Sequence, residues 1–459
     1  MRGVITKLAA ALAAGTTSSV AAVQECLAVI NERDASLHAM SQVLADSALA
    51  EATARDATRA SDVPVGPLHG VPMVIKEEID VAGCVTTFGG LANSTPAEAD
   101  SEVVRRLRAA GAVIVGKTQM PEFGSFPYTE PEAFASTQNP WKLGMSPGGS
   151  SGGTAVAVAT GMAVAGLGGD GGGSIRIPSA CTGLFGLKPT RGRVTSAPSP
   201  HLWFGLGTCG PLTRSVMDSA IVYDAIKGSS PGDLFSAPDP GSFVEAAARA
   251  PGRLRIGWSV KSPSLGVSAC PEHVEAVQAA ARLLADLGHD VVEIDPAYPD
   301  STAQFVPQFF ASIRFEADRM EHFERLEKRT MQTYSLGRWV TPKVLDWALE
   351  AAEKFSSKVN RVFDQCDVLL TPVMAHRPPK IGIITGKGTL TSALKSMPAI
   401  AYMSLWNVAG NPAASVPFGM AADGLPLAVQ LVGRLNDEPT LLSVAGQIEQ
   451  AQPFPSLIA

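Results

Sequence analysis

Apolar positions recur along this chain at two spacings, and each spacing predicts an element. In "TTSSVAAVQECLAVINERDASL", Val23, Leu27 and Ile30 fall on one helical face behind a cap drawn from Thr17 to Ser19. The near-continuous apolar run of "GVPMVIKEEIDVAG" (70–83) predicts a buried strand that leads into a polar turn. In "DSEVVRRLRAAGAVIVGKT" (100–118), Val103, Val104 and Leu107 share a helical face. Asp100 or Ser101 serves as its cap and Gly111 as its stop, with Ala112 to Val115 as the next strand. A second strand–helix–strand unit is written in "LRIGWS", "PEHVEAVQAAARLLADLG" and "HDVVEID" (254–295). Further strands are expected at "DVLLTPV" (367–373) and "LPLAVQLVG" (425–433), helices across 305–363, and a loop at 231–242.

This alternation predicts an α/β fold with a mostly or partly parallel sheet. No repeat or low-complexity linker divides the 459 residues, so one domain over 1–459 is expected, with a more variable part at about 230–365. The N-terminal Arg2, Lys7 and "LAAALAAG" mimic a weak secretory signal, but the helical pattern runs on past them and favours a packed N-terminal helix. No stretch of bilayer length lacks charge, proline or glycine.

A net charge of −6, with no basic run longer than "RRLR" (105–108), argues against nucleic acid or an anionic membrane as the main partner. The six cysteines (Cys26, Cys84, Cys181, Cys209, Cys270, Cys366) form no CxxC pair, so neither a zinc site nor a disulfide framework is indicated, and a cytoplasmic location is expected.

Three familiar strings fail on context. "GAVIVGKT" (111–118) fits the phosphate-loop pattern, yet its Ala-Val-Ile-Val is itself the strand where a loop is needed. "GLGGDG" (166–171) fits a dinucleotide pattern but follows an alanine-rich helical run and puts Asp170 where pyrophosphate would lie. "GSSGG" (149–153) mimics a nucleophile elbow around Ser151, but a proline-rich loop precedes it rather than a strand. Of the histidines, His273, His289 and His322 read as surface or boundary residues, and only His376, after a strand end, tempts as a base for Ser151.

Two glycine beds remain: "SPGGSSGG" (146–153) and "GGDGGGSIRIPSACTGLFGLKPTRGRV" (168–194). Such density brings main chain close to something, because only glycine leaves an N–H unshielded. Together with Lys76 in "GVPMVIKEEID", "VIVGKTQMPEFG", "DVLLTPV" and "NVAGNPAASVPFG…GLPLAVQLVGR", these blocks resemble the amidase signature family of serine hydrolases over about residues 65–435. The core of the likeness lies at about 65–230 and 366–435.

The resemblance implies a single large mixed β-sheet flanked by helices on both faces. It also implies a Ser–Ser–Lys triad, with Ser174 as nucleophile, Ser150 as a bridging serine on a cis peptide bond and Lys76 as base. The implied reaction is hydrolysis of a small-molecule amide without metal or organic cofactor. An amidotransferase A-type subunit, an esterase and a non-catalytic relative are the alternatives, and a homodimer is left open. "QMPEFG" and the acidic chain lean towards a free-standing amidase.

The chemistry can be reasoned separately. A serine needs a base, and lysine serves only when neutral, which about one in a few thousand is at pH 7 in water. Burial corrects this, and "VPMVI" before Lys76 suits burial, although taken alone Lys76 also reads as a solvated strand-end lysine. Glu78, on the same strand face if the strand continues, would oppose a neutral lysine unless it turns aside. The N–H groups of Gly171, Gly172, Gly173 and Ser174 can converge on an oxyanion. Asp170 and Arg176 are expected to form an ion pair that pins this loop. Phe123, Phe126, Tyr128, Trp203 and Phe204 could line an acyl pocket or simply pack the core. Glu77 stands where the family pattern has aspartate, and Gly169 where it has a hydroxyl.

Overall fold

A computed structural model describes residues 3–60 and 64–458. Arg2, part of the signal-like start, lies outside the described residues. Eleven strands form one sheet: β1 (Met40–Val43), β2 (Pro72–Lys76), β3 (Val113–Thr118), β4 (Ala165–Asp170), β5 (Phe185–Lys188), β6 (Thr208–Thr213), β7 (Arg255–Trp258), β8 (Asp290–Glu293), β9 (Val368–Pro372), β10 (Ala413–Met420) and β11 (Pro426–Val432). Their spatial order is β1-β3-β2-β4-β6-β5-β10-β11-β9-β7-β8. Strands β3, β2 and β4 run parallel, as do β8, β7 and β9, while β6, β5, β10 and β11 join the two groups by antiparallel pairing. The sheet is therefore mixed, and the more variable part of the sequence contributes β7 and β8 to it.

The continuous apolar run of β2 is explained by burial on both faces. Side chains alternate across a strand. Met73 and Ile75 pack with Val103, Val104 and Leu107 of the helix Glu102–Ala109. Val74 packs on the other face, with Val23 and Ile30 of the helix Ser19–Leu37 and Val156 and Val158 of the helix Gly152–Thr160. Ser18 caps the first of these, accepting from the Ala21 N–H. The same parity sends Lys76 to the Val74 face, towards the start of Gly152–Thr160, and this placement builds the site.

The glycine-rich β4 has little intrinsic strand preference. Pairing to β2 through Met73–Ala165 and Ile75–Leu167, and to β6 through five residue pairs, holds it extended. Gly116 to Thr118 continue β3, and Lys117 is buried against Thr86 Oγ1 at 3.0 Å, so the phosphate-loop string is a strand. Near the N-terminus, Ile5 and Leu12 are buried in the helix Val4–Ala13. Among the described residues, no helix is long and apolar enough to cross a membrane.

Candidate active site

The C-terminal ends of parallel strands are where α/β sheets place ligands, and here β2 and β4 end side by side. Lys76 is the last residue of β2 and only 1% exposed. Its Nζ donates to Ser150 Oγ at 2.8 Å, bringing together two residues 74 positions apart. Ser150 follows a cis peptide bond from Gly149 and is likewise 1% exposed. The first glycine bed allows this close fit. A Cβ on Gly149 would lie 2.8 Å from Tyr128 N, and one on Gly153 2.5 Å from Gln119 N.

Ser174 lies between β4 and the helix Arg176–Thr182. The Ser151 N–H donates to the Ser174 carbonyl at 3.3 Å, which ties this loop to the residue after Ser150. The Ser174 hydroxyl makes no hydrogen bond among the described residues, and the residue keeps 9% of its surface exposed, so it can be approached. Ser151 is fully buried and its hydroxyl donates to the Gly169 carbonyl at 3.3 Å. No contact joins Ser151 to His376 among the described residues, and His376 is exposed.

Asp170 organises the Ser174 loop. Its carboxylate accepts from the N–H groups of Gly173 at 2.7 Å and Ile175 at 3.3 Å, and from Asn407 Nδ2 at 2.9 Å. It also pairs with Arg176 Nε at 2.9 Å, both side chains being 0% exposed. Burial, the largest single influence, would raise the Asp170 carboxyl, but Arg176 together with the Asn407 amide and the Lys188 charge outweighs it and holds the group far below the usual carboxylate range. The expected ion pair is present.

The same network corrects one donor. Gly173, expected in the oxyanion set, commits its N–H to Asp170. The N–H groups of Gly171, Gly172 and Ser174 have no acceptor among the described residues. Gly173 remains obligatory for shape: its φ is +116°, and a Cβ there would meet Met403 Cγ at 2.6 Å.

Of the expected aromatic lining, only Trp203 reaches this loop, with its ring 2.7 Å from where a Cβ on Gly171 would stand. Phe123 packs against Phe88 in the core, Phe126 lies under the Arg329 guanidinium, Tyr128 donates to the Lys395 carbonyl, and Phe204 stacks on His201. Phe305, on the helix Thr302–Ala317, covers Gly172, and Met403 covers Gly173. Neither residue was singled out in the sequence, because both come from segments without a readable motif. His273 is also corrected: it is only 2% exposed, and burial pushes it down to about 4.

Glu77 and Glu78 diverge. Glu77 accepts from Thr87 N at 3.0 Å and from the Ser41 hydroxyl, and faces Lys117 at 3.4 Å, which makes it an anchor between strands. The strand does not continue through Glu78. The Ile79 N–H closes a turn onto the Lys76 carbonyl at 3.1 Å, and the Glu78 carboxylate comes back to 2.9 Å from Lys76 Nζ. It does not turn aside.

A buried lysine on a serine, itself beside a second serine in a glycine loop, is the arrangement of a serine hydrolase that uses lysine rather than histidine. The family described as Amidase matches residues 21–442, and the chain belongs to it. It is 46% identical over 447 residues to the Mycobacterium tuberculosis (strain ATCC 25618 / H37Rv) protein named "Putative amidase AmiB2", covering 96% of this chain and 95% of that protein. It is 35% identical to the 6-aminohexanoate-cyclic-dimer hydrolase of Paenarthrobacter ureafaciens, covering 87% of this chain and 86% of the relative. A solved structure of 6-aminohexanoate cyclic dimer hydrolase superposes with a TM-score of 0.90 at 31% identity over 98% of this chain and 96% of that one. That of a bacterial aryl acylamidase of the amidase signature family gives 0.86 at 26% identity over 96% and 95%. The protein is an amidohydrolase with the single mixed sheet of that family.

Proposed function

We propose that this amidohydrolase works through a Ser174 acyl-enzyme, with Ser150 as proton relay and Lys76 as base. The observation that carries the reading is the 2.8 Å contact between the buried Lys76 Nζ and Ser150 Oγ, next to a Ser174 hydroxyl that can be approached. As Ser174 Oγ bonds to the amide carbon, its proton passes to Ser150 and that of Ser150 to Lys76. The carbonyl π pair moves onto oxygen, where the N–H groups of Gly171, Gly172 and Ser174 can receive it. One such donor is typically worth about 3 kcal/mol. Collapse of the tetrahedral intermediate expels the amine, which takes the proton back through the same relay. Water then cleaves the ester by the reverse path.

The substrate class follows from what covers the glycine loop. Trp203 and Phe305 present apolar surface, Phe309 backs it with ring centroids 5.5 Å from Trp203 and 6.2 Å from Phe305, and the fully buried Met403 packs against Gly173. Such a wall favours an uncharged aryl, alkyl or cyclic amide over a short polar one such as glutamine. The relative that hydrolyses a 6-aminohexanoate cyclic dimer supports this reading. The test is acid and amine release from linear aryl, linear alkyl and cyclic amides, with glutamine alongside. Turnover of aryl, alkyl or cyclic amides well above that of glutamine is expected; glutamine as the preferred substrate would overturn this assignment.

A further inference from the structure

We propose that Glu78 is a positioning residue for Lys76: its carboxylate occupies the space opened by Gly169, holds Nζ against Ser150, and supplies the counter-charge to the ammonium formed during proton transfer. This rests on the Lys76–Ser150–Ser174 reading above.

An ammonium has three donors and no acceptor. One donor direction of Lys76 Nζ is taken by Ser150 Oγ at 2.8 Å, and Glu78 Oε1, buried and without a hydrogen bond of its own, stands at ion-pair distance, 2.9 Å, from the same nitrogen. The Glu78 Cα stands in a turn closed by the Ile79 N–H onto the Lys76 carbonyl at 3.1 Å, which brings the base of its side chain back beside Lys76. The carboxylate also needs room. A Cβ on Gly169 would stand 2.3 Å from Glu78 Oε1 and 3.4 Å from Leu202 Cδ2. Any side chain at position 169 therefore expels the carboxylate. Gly169 and Glu78 are two halves of one device.

Among the described residues, Lys76 is the one cation at ion-pair distance from the Glu78 carboxylate. Facing Glu78 are Asp80 from its own turn, Cys209 from β6, and Glu316 and Arg319 from the helix Thr302–Ala317 and the residues just after it. These groups line a cleft of about 680 Å³ behind the base. When Lys76 takes the proton from Ser150, the charge it gains has a partner already in place at 2.9 Å.

The experiment measures kcat and KM from pH 5 to 10, on an amide turned over by the native chain, for Glu78→Gln, Gly169→Ala, the double variant and Ser174→Ala. Melting temperatures and circular dichroism accompany each. Glu78→Gln is expected to lower the plateau kcat about 10- to 100-fold and leave KM within about twofold. Gly169→Ala is expected to reproduce this loss, and the double variant to be no worse than either single one. An unchanged plateau kcat in Glu78→Gln, a fall that appears mainly in KM, or losses that multiply in the double variant, would overturn the proposal. So would a Glu78→Gln chain that fails to fold, since the residue then belongs to the core. Native activity in Ser174→Ala would instead sink the triad reading, whatever Glu78 does.

Discussion

Ser174→Ala is expected to lower kcat for amide hydrolysis by about 10⁴-fold or more while leaving the fold intact. The two halves of this result have different causes. The hydroxyl is the atom proposed to bond to the substrate, and no neighbour replaces it: Ser151 is fully buried and Ser150 is held by Lys76. For stability, the Ser174 hydroxyl holds no hydrogen bond among the described residues and the residue is not sealed from solvent, so its loss is worth within about 0.5 kcal/mol. Single-turnover kinetics and a melting curve check both. A variant that loses activity only because it unfolds would not fit.

The opposite pattern is expected of Asp170→Asn, which is predicted to cost about 3–5 kcal/mol because Arg176 stays buried without a counter-charge. Arg176 would keep Gln430 Oε1 at 2.9 Å and Asn407 Oδ1 at 2.6 Å, but neither is charged. The amide Oδ1 can still accept from the Gly173 N–H, but its NH2 would face the Ile175 and Arg176 N–H groups that now donate to the second carboxylate oxygen, so the loop is disturbed and activity falls with stability. The pH dependence follows from the direction of the shift. A carboxyl held far below its unfolded value contributes in full above the ordinary carboxylate range and loses that contribution only as pH falls through the depressed folded value. The gap in melting temperature between native and variant protein is therefore expected to stay constant from pH 8 to about 5 and to narrow only in stronger acid. A gap that closes between pH 8 and 6 would mean that Asp170 is not the ionised partner of Arg176.

Strands with a plain apolar run were legible in the sequence. β2 lies where the pattern puts it, and β3 starts within the expected Ala112 to Val115 but runs on to Thr118, because burial on both faces needs no partner to be known. β4 was not legible. Its residues Gly166, Gly168 and Gly169 carry no side-chain signal, and its extended form is imposed by β2 and β6. The site divides along the same line. Lys76, Ser150 and Ser174 stand in ordered motifs, and the structure places Lys76 on Ser150 and the Ser174 loop beside them. Gly173 was misassigned because the Asp170 side chain competes for its N–H, which spacing alone does not show. Glu78 depended on whether the strand ran two residues further, and one main-chain turn decided it. Phe305 and Met403 reach the site from distant segments, and tertiary packing alone brings them there.

The central claim is that an acyl group passes through Ser174. The most direct measurement mixes the native protein with a slowly deacylating aryl ester or amide, quenches in acid and maps the labelled peptide by mass spectrometry. One adduct of the acyl mass on Ser174, formed as fast as the burst of amine or phenol and absent from Ser174→Ala, is the result this account predicts. An adduct on Ser151, or a burst without any adduct on Ser174, would contradict it.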